Sequence, residues 1–205
     1  MLYAEYAVLV VIGYLLGAIP SALIAGKLLK GIDIRQYGSG NIGAANTLRT
    51  LGLGPSAAVF LADAAKAALP VLLARWLTGE PAVEVAVGMA AITGHNWPAY
   101  IGWRGGRGVS SSFGVLLVFS PLAAAICLLV FAGVVALTRY ASLGSLVGSV
   151  VGCLLLVAMV FSSWLPPAYG VYAIVGAALI IIQHRSNIAR LLQGKERKLG
   201  ERVET

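Results

Sequence analysis

The stretch 109–138, VSSSFGVLLVFSPLAAAICLLVFAGVVALT, decides how often this chain crosses a membrane. It carries no charged residue, and it is longer than the roughly 20 residues that one spanning helix needs. Ser120-Pro121 interrupts it, and proline favours the first position of a helix because it has no N–H to donate. The stretch is therefore either one long span or a short helix of residues 109–120 followed by a full span.

The positions of the basic residues favour the second alternative. With one span here the chain has six spans, and an outside N-terminus then puts Arg139 and the basic tail outside as well, against the positive-inside rule. That tail comprises Arg185, Arg190, Lys195, Arg197, Lys198 and Arg202. With a break at Pro121, every basic segment except Arg75 lies inside. We expect an all-α integral membrane protein of seven transmembrane helices, one of them short, with its N-terminus outside and its C-terminus in the cytoplasm.

The other spans are expected over residues 6–26, 55–77 and 82–101, and over 140–183, which Pro166-Pro167 divides in two. Asp63 and Lys66 interrupt the second span at a spacing of i, i+3. Charges inside a membrane usually mark function, but a structural ion pair explains this spacing equally well.

Composition agrees with a membrane protein, since 59% of the 205 residues are hydrophobic and 11% are charged. The net charge of +7 arises at the ends of apolar runs, which favours anionic ligands and lipid head groups over nucleic acid. The acidic Glu5 argues against a cleavable signal. Cys127 and Cys153 lie in apolar runs without metal-ligand spacing, and we expect buried thiols there. Residues 1–205 are expected to form a single domain.

Two polar segments have the residues of an anion site. The first, GSGNIGAANTLR (38–49), alternates glycines with small polar residues, a pattern that presents backbone N–H groups to an anion, and it ends on Arg49. An ordinary glycine-rich loop is the alternative. The second, GHNWP (94–98) with WRGGRGVSSS (103–112), places two arginines before a helix N-terminus. Here the alternative is arginines that anchor to lipid head groups, and His95 either packs or touches a ligand.

Two further segments follow on the same expected face. RYASLGS (139–145) is a short turn between spans, and HRSNIARLLQGKE (184–196) places His184 and Asn187 one turn apart if it is helical. Its apolar stripe suits the membrane surface. Carboxylates are few in all four segments, so neither an acid–base dyad nor a two-metal site is expected.

In order and spacing these four motifs resemble those of the bacterial acyl-phosphate:glycerol-3-phosphate acyltransferase family (PlsY-type), over residues 38–196. The resemblance implies a seven-helix enzyme that moves a fatty acyl group from acyl phosphate to the 1-hydroxyl of sn-glycerol 3-phosphate. The products would be lysophosphatidate and phosphate, with no cofactor, no metal and no acyl-CoA. The His-x₄-Asp pair of the acyl-CoA-dependent enzymes is absent. The chain departs from the family in having Arg104 and Arg107 where lysines are usual, and Ala45 where threonine is usual.

The resemblance also implies the site. The expected catalytic residues are Ser39, Arg107, Ser145 and His184. The expected substrate-binding residues are Asn41, Gly43, Asn46, Arg49, Arg104, Gly105, Gly106 and Asn187. The hydroxyl proton would go either to His184 or to the substrate's own phosphate.

We expect a monomer in the bacterial plasma membrane, with its active site at the cytoplasmic face, that contacts membrane lipid and no nucleic acid. A transporter of an anionic metabolite is the rival interpretation, since intramembrane charges and broken helices are typical of transporters. A lipid-binding structural subunit is a third.

Overall fold

The computed structural model describes residues 2–200, and all regular structure in that range is helical. Arg202 of the basic tail lies outside the described residues. The helices are α1 (Leu2–Gly17), α2 (Ser21–Lys30), α3 (Ala44–Leu51), α4 (Leu53–Thr78), α5 (Pro81–Asn96), α6 (Val109–Phe119), α7 (Pro121–Thr138), α8 (Ala141–Phe161), α9 (Ala168–Gln183) and α10 (Arg185–Leu192). Short 3₁₀ turns cover Ile34–Gln36 and Ala99–Ile101.

The chain folds into two compact units, residues 2–115 with Gly200 and residues 116–199. In the first unit, α1 packs along α5 through small residues. A Cβ on Gly17 would overlap the backbone of Ala91, and one on Gly94 would overlap the carbonyl oxygen of Tyr14. These glycines let the two helix backbones come into contact. Small residues are common where helices pack in membranes, because the hydrophobic effect does not drive helices together in lipid and close packing has to do so.

The first expected span is a broken helix in the structure. α1 ends at Gly17 and α2 starts at Ser21, because Pro20 between them cannot donate to the helical ladder. The expected first span, residues 6–26, lies within the segment Tyr3–Lys30, which is long and apolar enough to cross a membrane, but the break inside it was not predicted. Helical structure continues to Lys30, where Gly31 closes α2 in the left-handed conformation with φ 69°.

Arg75, near the end of α4, is the one exception to the positive-inside count, and it forms an ion pair with a residue of α5. Arg75 Nη2 lies 2.8 Å from Glu84 Oε2, and Arg75 Nε donates to the same oxygen over 3.0 Å. Glu84 is buried, with 3% of its surface exposed. The arginine is thus neutralised by its neighbour on α5 and adds no net positive charge to this end of the helices.

α5 is shorter than its apolar run. It ends at Asn96, because Pro98 lacks the N–H that would extend it, and the 3₁₀ turn Ala99–Ile101 follows. The prediction that this helix runs to residue 101 is therefore wrong. α6 starts at Val109 and ends at Phe119, and its 11 residues span about 16 Å. The expected break at Pro121 is confirmed: Ser120 caps α7 by accepting from the N–H of Ala123 over 3.2 Å.

In the second unit, α8 packs between α7 and α9. Phe119 stacks on Tyr169 with ring centroids 4.1 Å apart and meets Tyr172 edge-on. Pro166-Pro167 separates α8 from α9, as predicted. At His184 the chain bends by 60° into α10, which confirms that residues 185–192 are helical.

By length and apolar composition, four described segments can each cross a membrane: Tyr3–Lys30, Leu53–Thr78, Pro121–Thr138 and Ala141–Phe161. The bent pair α9–α10 makes a fifth candidate. Large apolar side chains such as Leu61, Leu129 and Leu154 are exposed on these helices, as a lipid-facing surface requires. The seven-span count and the orientation of the termini stay predictions, as does the single domain.

Candidate functional site

Asn46 organises the glycine-rich segment from the first turns of α3. Its Oδ1 accepts from the N–H of Ser39 over 2.8 Å, and its Nδ2 donates to the carbonyl oxygens of Ile34 and Tyr37, each over 3.2 Å. The residue is 2% exposed. All of these contacts go to the backbone of the loop, so Asn46 shapes the loop whether or not it also touches a substrate.

The glycines of this segment differ in what they do. Gly38 (φ 63°) and Gly40 (φ 69°) have left-handed backbones that other residues rarely adopt. A Cβ on Gly38 would also overlap Asn46 Oδ1. Gly43 is extended and precedes α3. The N–H groups of Ser39 and Gly40 are occupied, by Asn46 Oδ1 and by the Tyr37 carbonyl. The first residues of a helix have N–H groups without helical partners, so the start of α3 can present N–H groups to an anion.

The side chains around this helix start have different exposures. Ser39 is exposed, Asn41 is half-buried, and Arg49, on the last turn of α3, is 9% exposed. Ala45 is exposed at the helix start. A hydroxyl group at this position would reach solvent.

The arginine loop, residues 104–108, is held against the end of α5 by two backbone hydrogen bonds. Gly105 N donates to the Asn96 carbonyl over 3.2 Å, and Gly106 N donates to the His95 carbonyl over 3.0 Å. A Cβ on Gly105 would overlap the His95 carbonyl oxygen. The pair Gly105-Gly106 is thus required for the backbone to approach α5, which the sequence alone did not reveal.

Gly106 is also the point where the glycine-rich segment and the arginine loop meet. A Cβ on Gly106 would overlap both the His95 ring and the carbonyl oxygen of Ile42, from the glycine-rich segment. Arg104 is exposed and Arg107 is half-buried on either side of this contact. The structure therefore brings Gly43 and its neighbours together with Gly105, Gly106 and the two arginines in the first unit.

Three serines lie in the first turn of α6, directly after the arginine loop. Ser110, Ser111 and Ser112 are all buried, and Ser111 Oγ donates to the backbone carbonyl of Asp63 over 3.1 Å. Because the first turn of a helix exposes N–H groups and the positive end of its dipole, this end of α6 favours an anion next to Arg107.

Arg35 is a further arginine near these segments. It pairs with Asp33, with Nη2 2.7 Å from Oδ2, and its Nη1 donates to the Ile101 carbonyl over 3.3 Å. The hydrogen bonds from Arg35 lower the pKa of Asp33 to about 2. The Arg35 guanidinium thus holds the backbone just before the arginine loop by a hydrogen bond.

In the second unit, His184 lies at the bend between α9 and α10 and is 2% exposed. Its Nδ1 lies 2.7 Å from the Ile180 carbonyl oxygen. A carbonyl oxygen can only accept, so Nδ1 carries the proton and the neutral ring has Nε2 as its basic nitrogen.

Asn187 lies one turn along, and Glu196 holds it. Asn187 Nδ2 donates to Glu196 Oε1 over 2.6 Å, and Ser142 Oγ donates to the same oxygen over 2.8 Å. Arg190 Nε donates to Oε2 over 2.7 Å. Asn187 Oδ1 is buried and has no hydrogen-bond partner among the described residues. The hydrogen bond from Nδ2 thus orients the Asn187 amide, and Oδ1 can accept a hydrogen bond from a ligand.

Glu196 is a buried residue of the candidate site for which no role was predicted. It is the last residue of the fourth segment, 184–196, and is 9% exposed. Burial raises its pKa, but the hydrogen bonds from Asn187, Ser142 and Arg190 outweigh that effect and hold the pKa below its ordinary value. Its only sequence signal is a single acid in a run of basic residues. Ser145, the serine that was predicted, donates to the Ala141 carbonyl over 2.9 Å.

Among residues 2–200, no three His, Cys, Asp or Glu side chains are close enough together to hold a metal ion. The candidate segments supply cations, N–H groups, hydroxyls and the imidazole of His184. Such a set binds and stabilises anions.

Comparison with known proteins supplies the family. Residues 7–194 match the model of the family described as glycerol-3-phosphate acyltransferase. Curated proteins of that name from Halalkalibacterium halodurans and Thermoanaerobacter sp. are 47% and 45% identical to the chain. The alignments cover 98% and 97% of this chain, and 99% and 98% of the relatives.

Two solved structures agree with the fold. They are crystal structures of PlsY (YgiH), an integral membrane glycerol 3-phosphate acyltransferase, in a glycerol 3-phosphate form and a lysophosphatidic acid form. Their TM-scores are 0.89 and 0.87, each at 38% identity and with 96% of both chains covered. The all-helical fold and its membrane-spanning character are thus shared over nearly the whole chain.

Proposed function

Because the chain belongs to the glycerol-3-phosphate acyltransferase family, we propose that it transfers a fatty acyl group to the 1-hydroxyl of sn-glycerol 3-phosphate and so forms lysophosphatidate. This is the first acylation of phospholipid synthesis. The observation that carries the proposal is the 38% identical relative, solved in forms named for glycerol 3-phosphate and for lysophosphatidic acid. They are the acceptor and the product of this reaction.

The proposed donor is acyl phosphate. The glycerol hydroxyl oxygen attacks the acyl carbonyl carbon, the new ester C–O bond forms, and the bond from that carbon to the phosphate oxygen breaks. Inorganic phosphate leaves with the bonding electrons, and the hydroxyl proton passes to a base. Since acyl phosphate is a mixed anhydride with a good leaving group, the protein's task is to bring two anions together and stabilise an oxyanion.

In the first unit, we propose that Arg104 and Arg49 hold glycerol 3-phosphate, while Arg107 and Ser39 act on the acyl phosphate side. The start of α3 after Gly43 adds N–H groups, and Asn41 lines the same segment. The close approach of Gly106 to the Ile42 carbonyl supports one shared site for the two phosphates, because it sets the glycine-rich segment and the arginine loop side by side. Arginine suits both roles, since its planar guanidinium binds phosphate through two parallel hydrogen bonds.

In the second unit, we propose that His184 accepts the hydroxyl proton on Nε2, that Asn187 Oδ1 accepts from the glycerol, and that Ser145 assists the transfer. The bond from Nδ1 to the Ile180 carbonyl supports His184, because it fixes the tautomer that a base requires. The substrate's own phosphate is the alternative base. If His184→Gln keeps a near-normal kcat and only raises KM, the phosphate is the base.

The activity is tested with purified protein in detergent, supplied with acyl phosphate and labelled glycerol 3-phosphate. Labelled lysophosphatidate and stoichiometric phosphate release are expected, with no product when acyl-CoA replaces acyl phosphate. Arg107→Gln is the matched negative control, and Lys198→Gln in the exposed tail is the positive one. Absence of turnover, together with uptake of labelled glycerol 3-phosphate by reconstituted vesicles, would favour the transporter instead.

The proposed location is the bacterial plasma membrane, with seven spans, an outside N-terminus and the arginine loop at the cytoplasmic face. The pairing of Arg75 with Glu84 supports this orientation, because it removes the one exposed exception to the positive-inside rule. Single cysteines at Glu80 and Arg104, in a variant without Cys127 and Cys153, test it. An impermeant thiol reagent applied to intact cells should label the first and spare the second. We also propose a monomer, which light scattering of the detergent complex tests.

A further inference from the structure

α4 carries a buried ion pair that the proposed reaction does not use. Lys66 Nζ lies 2.7 Å from Asp63 Oδ1, one helical turn apart, and the two residues are 8% and 1% exposed. Replacing such a pair by apolar residues is often neutral or stabilising, because desolvation offsets most of the attraction. Stability alone therefore does not account for two charges at this depth.

The pair is connected to two other helical elements. Lys66 Nζ donates to the carbonyl of Ile19 over 2.6 Å, at the break between α1 and α2, where the same carbonyl also accepts from the N–H of Ser21 over 3.1 Å. Ser111 Oγ, at the start of α6, donates to the Asp63 carbonyl. The lysine is thus held by two acceptors, and the α4 backbone at Asp63 is fixed to the helix that follows the arginine loop.

Asp63 also faces the arginine loop through His95. His95 Nδ1 lies 3.6 Å from Oδ1, the same oxygen that pairs with Lys66, which is an electrostatic contact beyond hydrogen-bond length, and the imidazole is 6% exposed. The same ring packs directly against Gly106, which has no room for a Cβ beside it. The carbonyls of His95 and Asn96 accept from the N–H groups of Gly106 and Gly105. A continuous line of contacts therefore runs from the Asp63 carboxylate through the imidazole to the backbone between Arg104 and Arg107.

We propose that Asp63 and His95 are positioning residues for phosphate binding. The carboxylate orients the imidazole by electrostatic attraction and packing, and the imidazole supports the backbone of the arginine loop at Gly106. This inference rests on the proposed function, since it concerns how the loop meets a phosphate group. It explains why glycines are needed at positions 105 and 106 and why His95 is buried beside them.

The test is steady-state kinetics of the full chain in detergent with Asp63→Asn. The KM of one or both phosphate substrates should rise roughly tenfold, with kcat within about threefold, because the loop is displaced while the reacting groups remain. The matched control is Glu84→Gln, which also turns a buried carboxylate into an amide in an ion pair that contacts both α4 and α5. It should lower Tm and leave both KM values within about twofold.

His95→Gln supplies an independent variant if Asp63→Asn does not fold. It should raise the same KM, and the double variant should be no worse than the stronger single one, since both act through one contact. Equal KM effects in Asp63→Asn and Glu84→Gln, or multiplicative effects of Asp63→Asn and His95→Gln, would overturn the inference. Failure of the wild-type chain to form lysophosphatidate would instead overturn the proposed function, so the two failures are distinguishable.

Discussion

The side-chain amide of Asn187 donates to the carboxylate of Glu196 over 2.6 Å, and this bond joins the helix after the 60° bend to the chain that follows it. The same carboxylate accepts from Ser142 at the start of α8 and from Arg190 on α10. One acid thus satisfies three donors from two helices. The amide oxygen of Asn187 is left to accept from a ligand.

Glu196→Gln should therefore lower activity although Glu196 is not expected to touch substrate. A glutamine presents one acceptor oxygen and an NH₂ group, so at least one of the three donors meets that NH₂ group and the hydrogen bonds that orient Asn187 are weakened. We expect kcat to fall roughly tenfold, in the range found when a single polar contact that orients a reacting group is lost. Lys195→Gln, at an exposed neighbouring position, should be neutral. Wild-type kcat in Glu196→Gln would contradict the positioning of Asn187 by this residue.

Asp33 gives the chain a component of stability that depends on pH. Its pKa is lowered from 3.8 to about 2 in the folded protein by the hydrogen bonds from Arg35. Since the folded pKa lies below the unfolded one, the pair stabilises fully above about pH 4, and its contribution is lost as pH falls toward about 2. Asp33→Asn should lower Tm at pH 6, and the difference from wild type should shrink at pH 3. A difference in Tm between wild type and Asp33→Asn that grows on acidification would contradict the lowered pKa of Asp33.

Gly106→Ala should impair the reaction severely. The added methyl group would overlap the His95 ring and the Ile42 carbonyl, and the backbone atom cannot give way without moving the glycine-rich segment. We expect kcat/KM to fall by at least about a hundredfold, as for a displacement of about 1 Å in a substrate-binding group. Gly54→Ala is the matched control, because a Cβ there meets nothing within 4 Å. It should leave activity unchanged, and similar losses in both variants would refute the clash.

Arg75 and Glu84 should contribute to stability without contributing to catalysis. Glu84→Gln removes the negative partner of a half-exposed arginine, and we expect a loss of about 1–2 kcal/mol, less than for a fully buried pair. In a chain of this size that corresponds to a Tm lowered by roughly 2–8 °C. Glu80→Gln, at an exposed neighbouring position, serves as the comparison. An unchanged Tm in Glu84→Gln would mean that the pair is fully offset by its desolvation.

Much of the fold could be predicted because the deciding signals are local. Pro121 and Pro166-Pro167 each lack an N–H, and the helices break where these prolines stand. Pro20 carries the same signal, but it lies in an uncharged run of ordinary span length, so the break there went unpredicted. The early end of α5 at Asn96 likewise depends on Pro98 and on the loop that folds back against it.

The site was predictable at the level of segments and less so at the level of contacts. Gly105 and Gly106 were identified as parts of a phosphate loop, but their need to approach His95 comes from tertiary packing. Asn46 and Glu196 act on atoms seven to twelve residues away or on another helix, and no spacing rule covers such contacts. For Asp63 and Lys66, the sequence showed that they could pair, while the contact of Asp63 with His95 required the fold.

The bond from Lys66 to the Ile19 carbonyl bears on how the chain enters the bilayer during synthesis. An isolated lysine or aspartate at the centre of a nascent span costs about 2.5–3.5 kcal/mol to insert, and α4 carries one of each. The acceptor for the lysine belongs to a helical segment that leaves the ribosome before α4, so it can already be in the membrane when α4 arrives. The order of translation thus makes the Ile19 carbonyl available before Lys66 is inserted. A chain that lacks residues 2–30 should accordingly integrate α4 poorly.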